Sequence, residues 1–258
     1  MRGFECTFLE LDVIGEALQL DVRPFPFQFP VHGDLIEDRI RLIQVAERTL
    51  EAKGLIAGNR FVPELVETLG VFARGRLAIA MLGTIDGAGR CARAVTDDRL
   101  AVLAIQLNQR IRFEPITPPS IVRAMVGLLP PAHPGPGRSV TITVEPETPK
   151  RRPAEVDDMA GRQYLRSGHT SGDSAAVQRG MVDEIMRRPR LGSGYFAVTV
   201  RGRNARESTP STMNWLDTDS GRYAVVPTTA QDGRTHITYT PADLVRIEQS
   251  LSHLVRTR

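Results

Sequence analysis

Apolar and polar residues along the chain alternate with two different periods, and the switches between them divide it into elements. A period of two marks strands. Residues 76–83 place Leu77, Ile79 and Met81 on one side, and residues 90–96 return after the turn Asp86-Gly87-Ala88-Gly89. Residues 100–106 and 109–115 predict a second hairpin around Asn108, and residues 139–144, 195–201 and 212–216 continue the β pattern. From Trp215 onward the order is strand, turn at Asp219-Ser220-Gly221, strand, turn at Asp232-Gly233, strand and a final amphipathic helix.

A period near 3.6 marks the helices. A short strand at 4–7 is followed by a helix to about Leu18. The clearest helix covers 34–53. Asp34 and Glu37 have capping-box spacing, Ile36, Ile40, Ile43 and Leu50 form an apolar stripe, Glu37 stands four residues before Arg41, and Gly54 supplies the stop. Further helices are predicted over 63–73, over the segment opened by Thr117-Pro118-Pro119-Ser120, over 154–166 and over 174–188. The last carries Val177, Met181 and Ile185 at i, i+4, i+8 and ends at Pro189. Thr240-Pro241-Ala242-Asp243 reads as a helix start of its own: hydroxyl cap, proline in the first turn, carboxylate near the positive end.

Three stretches break both periods. Residues 23–30 alternate proline or glutamine with Phe25, Phe27 and Phe29, which predicts an extended piece stapling helix ends across the core. Pro130 to Gly137 is a stiff, turn-rich connector, and 148–153 is a polar loop. Around them the pattern echoes itself at an offset of 123 residues. Arg99 and Arg222, Val102 and Val225, Thr117 and Thr240, Pro118 and Pro241, Val122 and Val245, and Leu128 and Leu251 all correspond. The expected fold class is therefore α+β: one domain over 1–258 with a central, largely antiparallel sheet flanked by helices. Its quasi-twofold duplicated halves would span about 1–145 and 154–258, joined by a linker at 146–153.

Composition narrows the class. At 258 residues, 41% hydrophobic and 24% charged, the chain has the make-up of a soluble globular protein. No window approaches the about 18 consecutive apolar residues of a membrane span, so no membrane insertion is expected. The opening residues lack a signal-peptide core, which makes the cytoplasm the expected compartment. Two cysteines, Cys6 and Cys91, are too few for a disulfide framework and read as small buried thiols. The net charge of +3 belongs to the C-terminal part: residues 1–150 hold 17 bases and 18 acids, residues 151–258 hold 16 and 12. Arg187, Arg188, Arg190, Arg201, Arg203 and Arg206 could form a basic nucleic-acid-binding patch. No aromatics interleave with them and acids lie close by, so a solvated face is preferred and no nucleic acid is expected.

Catalytic chemistry leaves no trace in the pattern. There is no phosphate-binding glycine loop before a helix and no Gly-x-Ser-x-Gly elbow. His32, His133, His169, His236 and His253 are scattered without metal-ligand spacing. Asp97-Asp98 and Asp157-Asp158 are adjacent pairs, which diverge in a turn or helix. The expectation is no enzyme activity, no catalytic residue, no metal and no cofactor.

With these motifs in place, the chain resembles the EspG family, the ESX secretion-associated proteins of actinobacterial type VII secretion. Asp217-Thr218-Asp219-Ser220-Gly221-Arg222, Asp232-Gly233 and Thr240-Pro241 match the family's turn, strand and helix-start order. Leu128-Leu129-Pro130-Pro131, Pro134 to Ser139, His32-Gly33 and Lys53-Gly54-Leu55 add to the likeness. The serine-glycine lead-in to Tyr195-Phe196 departs from the Gly-Gln-Phe-Gly run of many relatives. The resemblance implies a cytosolic chaperone that binds the tip of PPE proteins in PE–PPE heterodimers, or another small helical secreted protein, and keeps it soluble for export. It implies a quasi-twofold antiparallel sheet and leaves homodimerisation open. The family's partner surface uses the loop between the second and third strands and the C-terminal helical part. Carried over, that surface is Thr84, Ile85, Asp86, Gly87 and Arg90 with Val177, Met181 and Arg188. An ordinary turn at Asp86, a strand arginine at Arg90 and a core methionine at Met181 are the competing readings.

Overall fold

The computed structural model describes residues 3–33, 35–144, 173–202, 207–230 and 232–257. The helix expected at 154–166, the loop at 148–153 and the linker at 146–153 lie outside the described residues, as do Asp157-Asp158 and His169. Ten strands join in one antiparallel sheet. Its central pair is β4 (Leu77–Ile85) with β9 (Arg190–Val200), in register from Leu77 opposite Val200 to Ile85 opposite Gly192. Outward from β4 lie β5 (Ala88–Thr96), β6 (Ala101–Leu107), β7 (Arg110–Ile116) and β1 (Phe4–Thr7). Outward from β9 lie β10 (Ser211–Thr218), β11 (Gly221–Thr229), β12 (Thr235–Pro241) and β8 (Val140–Val144). A separate small hairpin pairs β2 (Ile56–Ala57) with β3 (Arg60–Phe61).

Strand alternation assigns each side chain to a face. Ile79, Met81, Phe196, Val198, Met213 and Trp215 point to one face, beneath α4 (Ile121–Val126) and α6 (Leu244–Arg256). Their sequence neighbours point the other way. Ala78, Val95, Val102 and Phe113 meet α1 (Phe8–Leu18) and α3 (Pro63–Arg74), with α2 (Ile36–Ala52) against α1. Leu216, Tyr223, Val225 and Tyr239 on that same face meet α5 (Asp173–Arg187). Each large apolar side chain buried this way contributes about 1.5–3 kcal/mol. Trp215 needs room to lie flat. Gly194 faces it across β9 and β10, and Gly83 faces Gly194 across β4 and β9. A Cβ at either glycine would collide with the indole. The serine-glycine lead-in to Tyr195 is thus a packing solution.

Helix starts depart from the sequence expectation in three places. Thr240 and Pro241 end β12, and the cap of α6 stands two residues later, with Asp243 accepting the Arg246 N–H at 2.8 Å. At the other Thr-Pro, Thr117 precedes a 3₁₀ turn over Pro118–Ser120 and makes no side-chain cap. In α2 the cap position is Leu35, also without a side-chain bond; Asp34 lies outside the described residues, and Arg41 pairs with Asp38 at 2.7 Å. The capping box sits instead on α1. Thr7 Oγ1 accepts the Glu10 N–H, and the Glu10 carboxylate accepts the Thr7 N–H at 2.7 Å. That buried carboxylate also accepts from Thr49 Oγ1 and Lys53 Nζ, tying α1 to the end of α2.

The proline-rich segment is held by charge as much as by its rings. Asp12, buried on α1, accepts from Arg23, Arg39 and the His32 N–H. Phe27 and Phe29 are buried as the pattern predicts, whereas Phe25 stays exposed and stacks on Tyr195.

The turn motif that opens β11 proves to be a clasp. Arg222 is 0% exposed. Its Nε and Nη2 donate to the two Asp217 oxygens at 2.6 and 2.8 Å, and Nη2 also reaches the Pro130 carbonyl at 2.9 Å. The Arg222 N–H donates to His133 O, and Arg222 O accepts from the Gly135 N–H. The Tyr223 hydroxyl donates to Pro136 O at 2.9 Å. Gly221, at φ +119°, leaves no space for a Cβ: one would stand 2.7 Å from the Pro134 and Gly135 backbone. The two motifs that carry most of the resemblance, around Asp217 and around Pro130, are therefore each other's binding partners.

Candidate docking surface

Asp86 and Gly87 both adopt left-handed conformations, φ +50° and +75°, the backbone of a two-residue turn matched to strand twist. This turn does not stand alone. The Asp86 N–H donates to Leu191 O at 3.3 Å, beside the first residues of β9. Those residues follow directly on α5, whose last turn is anchored: Arg188 donates to Ser220 Oγ and, at 3.1 Å, to Glu184. The Asp219 N–H donates to Pro189 O at 3.1 Å. Three chain segments distant in sequence thus meet at one end of the sheet: the β4–β5 turn, the junction of α5 with β9, and the β10–β11 turn.

The eight residues singled out from the sequence divide accordingly. Asp86, Gly87 and Arg188 belong to this end, and Thr84 and Arg90 are exposed on opposite faces of the hairpin, since Arg90 pairs with Gly83 and Thr84 with Gly89. Ile85 packs into the core beneath α4 and α6, so it offers the surface only its backbone. On α5 the residues that pack are Val182 and Ile185, with Met181 partly buried. Val177 is 60% exposed and stands 11 residues before Arg188, about 16 Å along the axis. Sequence reasoning missed Leu191, 55% exposed beside the turn. Its signal was a large apolar residue between Arg190 and Gly192, out of phase with the inward positions of its strand.

The groups with titratable chemistry serve the fold. Burial pushes the Cys6 thiol up to about 12, and burial also raises Cys91, so neither is a ready thiolate. His236 hydrogen-bonds Thr143 across β12 and β8. Burial alone would raise Glu10, but its bonds to Lys53, Thr7 and Thr49 hold it below the usual carboxylate range; Asp12 is lowered likewise by the His32 N–H and its two arginines. Burial lowers the Arg93 guanidinium, which donates to Phe25 O at 2.8 Å. No group of three histidine, cysteine, aspartate or glutamate side chains converges among the described residues. Among those residues no helix is long and apolar enough to cross a membrane. Of the arginines considered for a nucleic-acid patch, Arg188 is engaged as above and Arg201 donates to Glu207 and Ala73 O. Arg203 and Arg206 lie outside the described residues. What this end of the sheet exposes is apolar Leu191 beside Asp86, with Arg188 close by; Val177 and Arg90 lie outside that cluster.

The sequence matches the model of the EspG family over residues 7–253. The fold is similar to a chain in the structure of the Mycobacterium tuberculosis type VII secretion system chaperone EspG5 in complex with the PE25–PPE41 dimer. The TM-score is 0.67 at 11% sequence identity, covering 99% of this chain and 96% of that one. No curated protein sequence matches the chain. At such low identity the structural likeness is one of fold.

Proposed function

The chain belongs to the EspG family, and from that membership we propose that it is a cytosolic chaperone of type VII secretion. It binds PE–PPE-like helical substrates, covers an exposed apolar tip and keeps them soluble for export. Its work is binding, without covalent chemistry. The observation that carries the reading is the convergence of the β4–β5 turn with the end of α5, joined by the Asp86–Leu191 hydrogen bond. Such a surface can seat an apolar tip while polar side chains satisfy its edge. Thr84, Asp86, Gly87, Arg90, Val177, Met181 and Arg188 make the contacts, Ile85 through its backbone. Similarity to a chaperone solved with a PE–PPE dimer supports the choice of cargo class.

Co-expression with a PE–PPE pair tests this. The pair is expected in the soluble fraction and in one size-exclusion peak with the chain. Combining Arg90→Glu with Val177→Glu should abolish co-elution and leave the melting temperature unchanged, since both side chains are exposed. Cargo that is equally soluble alone and never co-elutes refutes the proposal.

A further inference from the structure

A second surface lies on the other half of the molecule, away from the β4–β5 turn. Between α1, α2 and the β2–β3 hairpin runs a groove of about 490 Å³, floored by Val13, Ala17, Ile43, Phe61 and Val66. At 100° per residue, Ile36, Ile40, Ile43 and Glu47 share one flank of α2. That flank extends the groove toward the start of the helix, where Ile36 is 80% and Ile40 52% exposed. From Ile36 to Leu50 the strip is about 21 Å long, enough for four turns of a docked helix. Isolated apolar residues on a surface mean little, but Ile36, Ile40 and Ile43 lie in line with the groove, and an apolar run that leads into a groove marks an interaction site.

Charge narrows the occupant. The groove is bordered by Glu16, Glu47 and Glu51 against Arg60 alone. Glu16 is tied to Arg39; Glu47 and Glu51 are exposed with no ion pair among the described residues. We propose that this groove docks an amphipathic helix of a second protein, with apolar residues at i, i+3/i+4 and i+7 inward and lysine or arginine along its flank. The inference does not depend on the chaperone reading. If both hold, cargo and a basic helical partner bind opposite halves of the sheet at once.

The test titrates the cargo-free chain with a fluorescein-labelled amphipathic helix of leucine face and lysine flanks, and with its glutamate-flanked counterpart. Fluorescence anisotropy should report saturable one-to-one binding of the lysine helix, about tenfold tighter than the glutamate helix. Glu47→Lys with Glu51→Lys should reverse that preference, and Ile36→Glu with Ile40→Glu should remove both. All four side chains are exposed, and a thermal melt of each variant verifies folding. Equal binding of the two helices, or binding indifferent to these substitutions, overturns the proposal. So does either competing occupant. A dimer seen in sedimentation that Ile36→Glu with Ile40→Glu dissolves assigns the strip to a second copy. Flotation with phosphatidylglycerol vesicles lost in the same variant assigns it to a membrane. Because no cargo is present, failure here leaves the chaperone proposal standing, and failure of cargo co-elution leaves this one standing.

Discussion

Truncating Asp217 to alanine probes the clasp between the connector and the β10–β11 hairpin. A guanidinium carries five N–H donors. Arg222 currently satisfies Nε and one Nη2 proton on Asp217 and the second Nη2 proton on the Pro130 carbonyl, while Nη1 has no partner. Among the described residues, Asp217→Ala leaves the Pro130 backbone carbonyl as the single acceptor for a guanidinium that is 0% exposed. An uncompensated buried charge of this kind costs about 3–5 kcal/mol. For a chain of this size that is about 10 °C in melting temperature. The connector loosens as well, because its hold on the sheet runs through Arg222 backbone bonds to His133 and Gly135. Urea unfolding read by circular dichroism, with limited proteolysis at 130–137, measures both effects. Asp217→Leu combined with Arg222→Met replaces the ion pair with apolar volume and should recover most of the loss. A loss below about 1 kcal/mol for Asp217→Ala, the range of a surface pair, would refute the reasoning, as would a double variant no better than the single one.

Three further outcomes follow from the packing and charge. Gly194→Ala drives a methyl into the Trp215 indole and should cost about 1–3 kcal/mol by urea midpoint, with an altered near-ultraviolet tryptophan signal; Gly89→Ala, in open space, should match the parent. Glu10 and Asp12 titrate below their unfolded values, so their stabilisation is complete above about pH 4.5 and is lost as pH falls through the folded pKa values. Urea midpoints should therefore drop on acidification, and Glu10→Gln should flatten that drop; an unchanged pH slope in the variant contradicts the assignment. On α5, Val177→Glu should change stability by less than about 0.5 kcal/mol while Val182→Glu, at a buried position, unfolds the chain in a thermal melt; equal effects would mean that α5 packs through its other flank.

Much of the architecture was legible because local pattern and backbone geometry carry it. Leu77, Ile79 and Met81 alternate, and the strand they announce is β4 with only its ends moved. Asp-Gly at 86 and 87 demands a left-handed turn, and the turn is there. The order of strands and helices along each series could be read for the same reason. The candidate surface was half legible: the turn residues were visible, but their neighbour Leu191 was not, since only the β4–β9 register brings residues about a hundred positions apart into contact.

Burial is where the sequence fell silent. Arg99 and Arg222 occupy matching places in the pattern, yet Arg99 pairs with Glu67 in solvent and Arg222 is enclosed with Asp217. Val122 and Val245 match in the same way, and one is buried while the other is exposed. Thr240-Pro241 has the letters of a helix cap, but ladder bonds to Tyr223 and Ala224 hold it in β12. The chain by itself determined periodicity, turns and the order of elements, because these depend on sterics and hydrogen bonding within a few residues. Which face is covered, and which arginine loses its water, depended on segments arriving from far along the chain, and only the tertiary structure decided that.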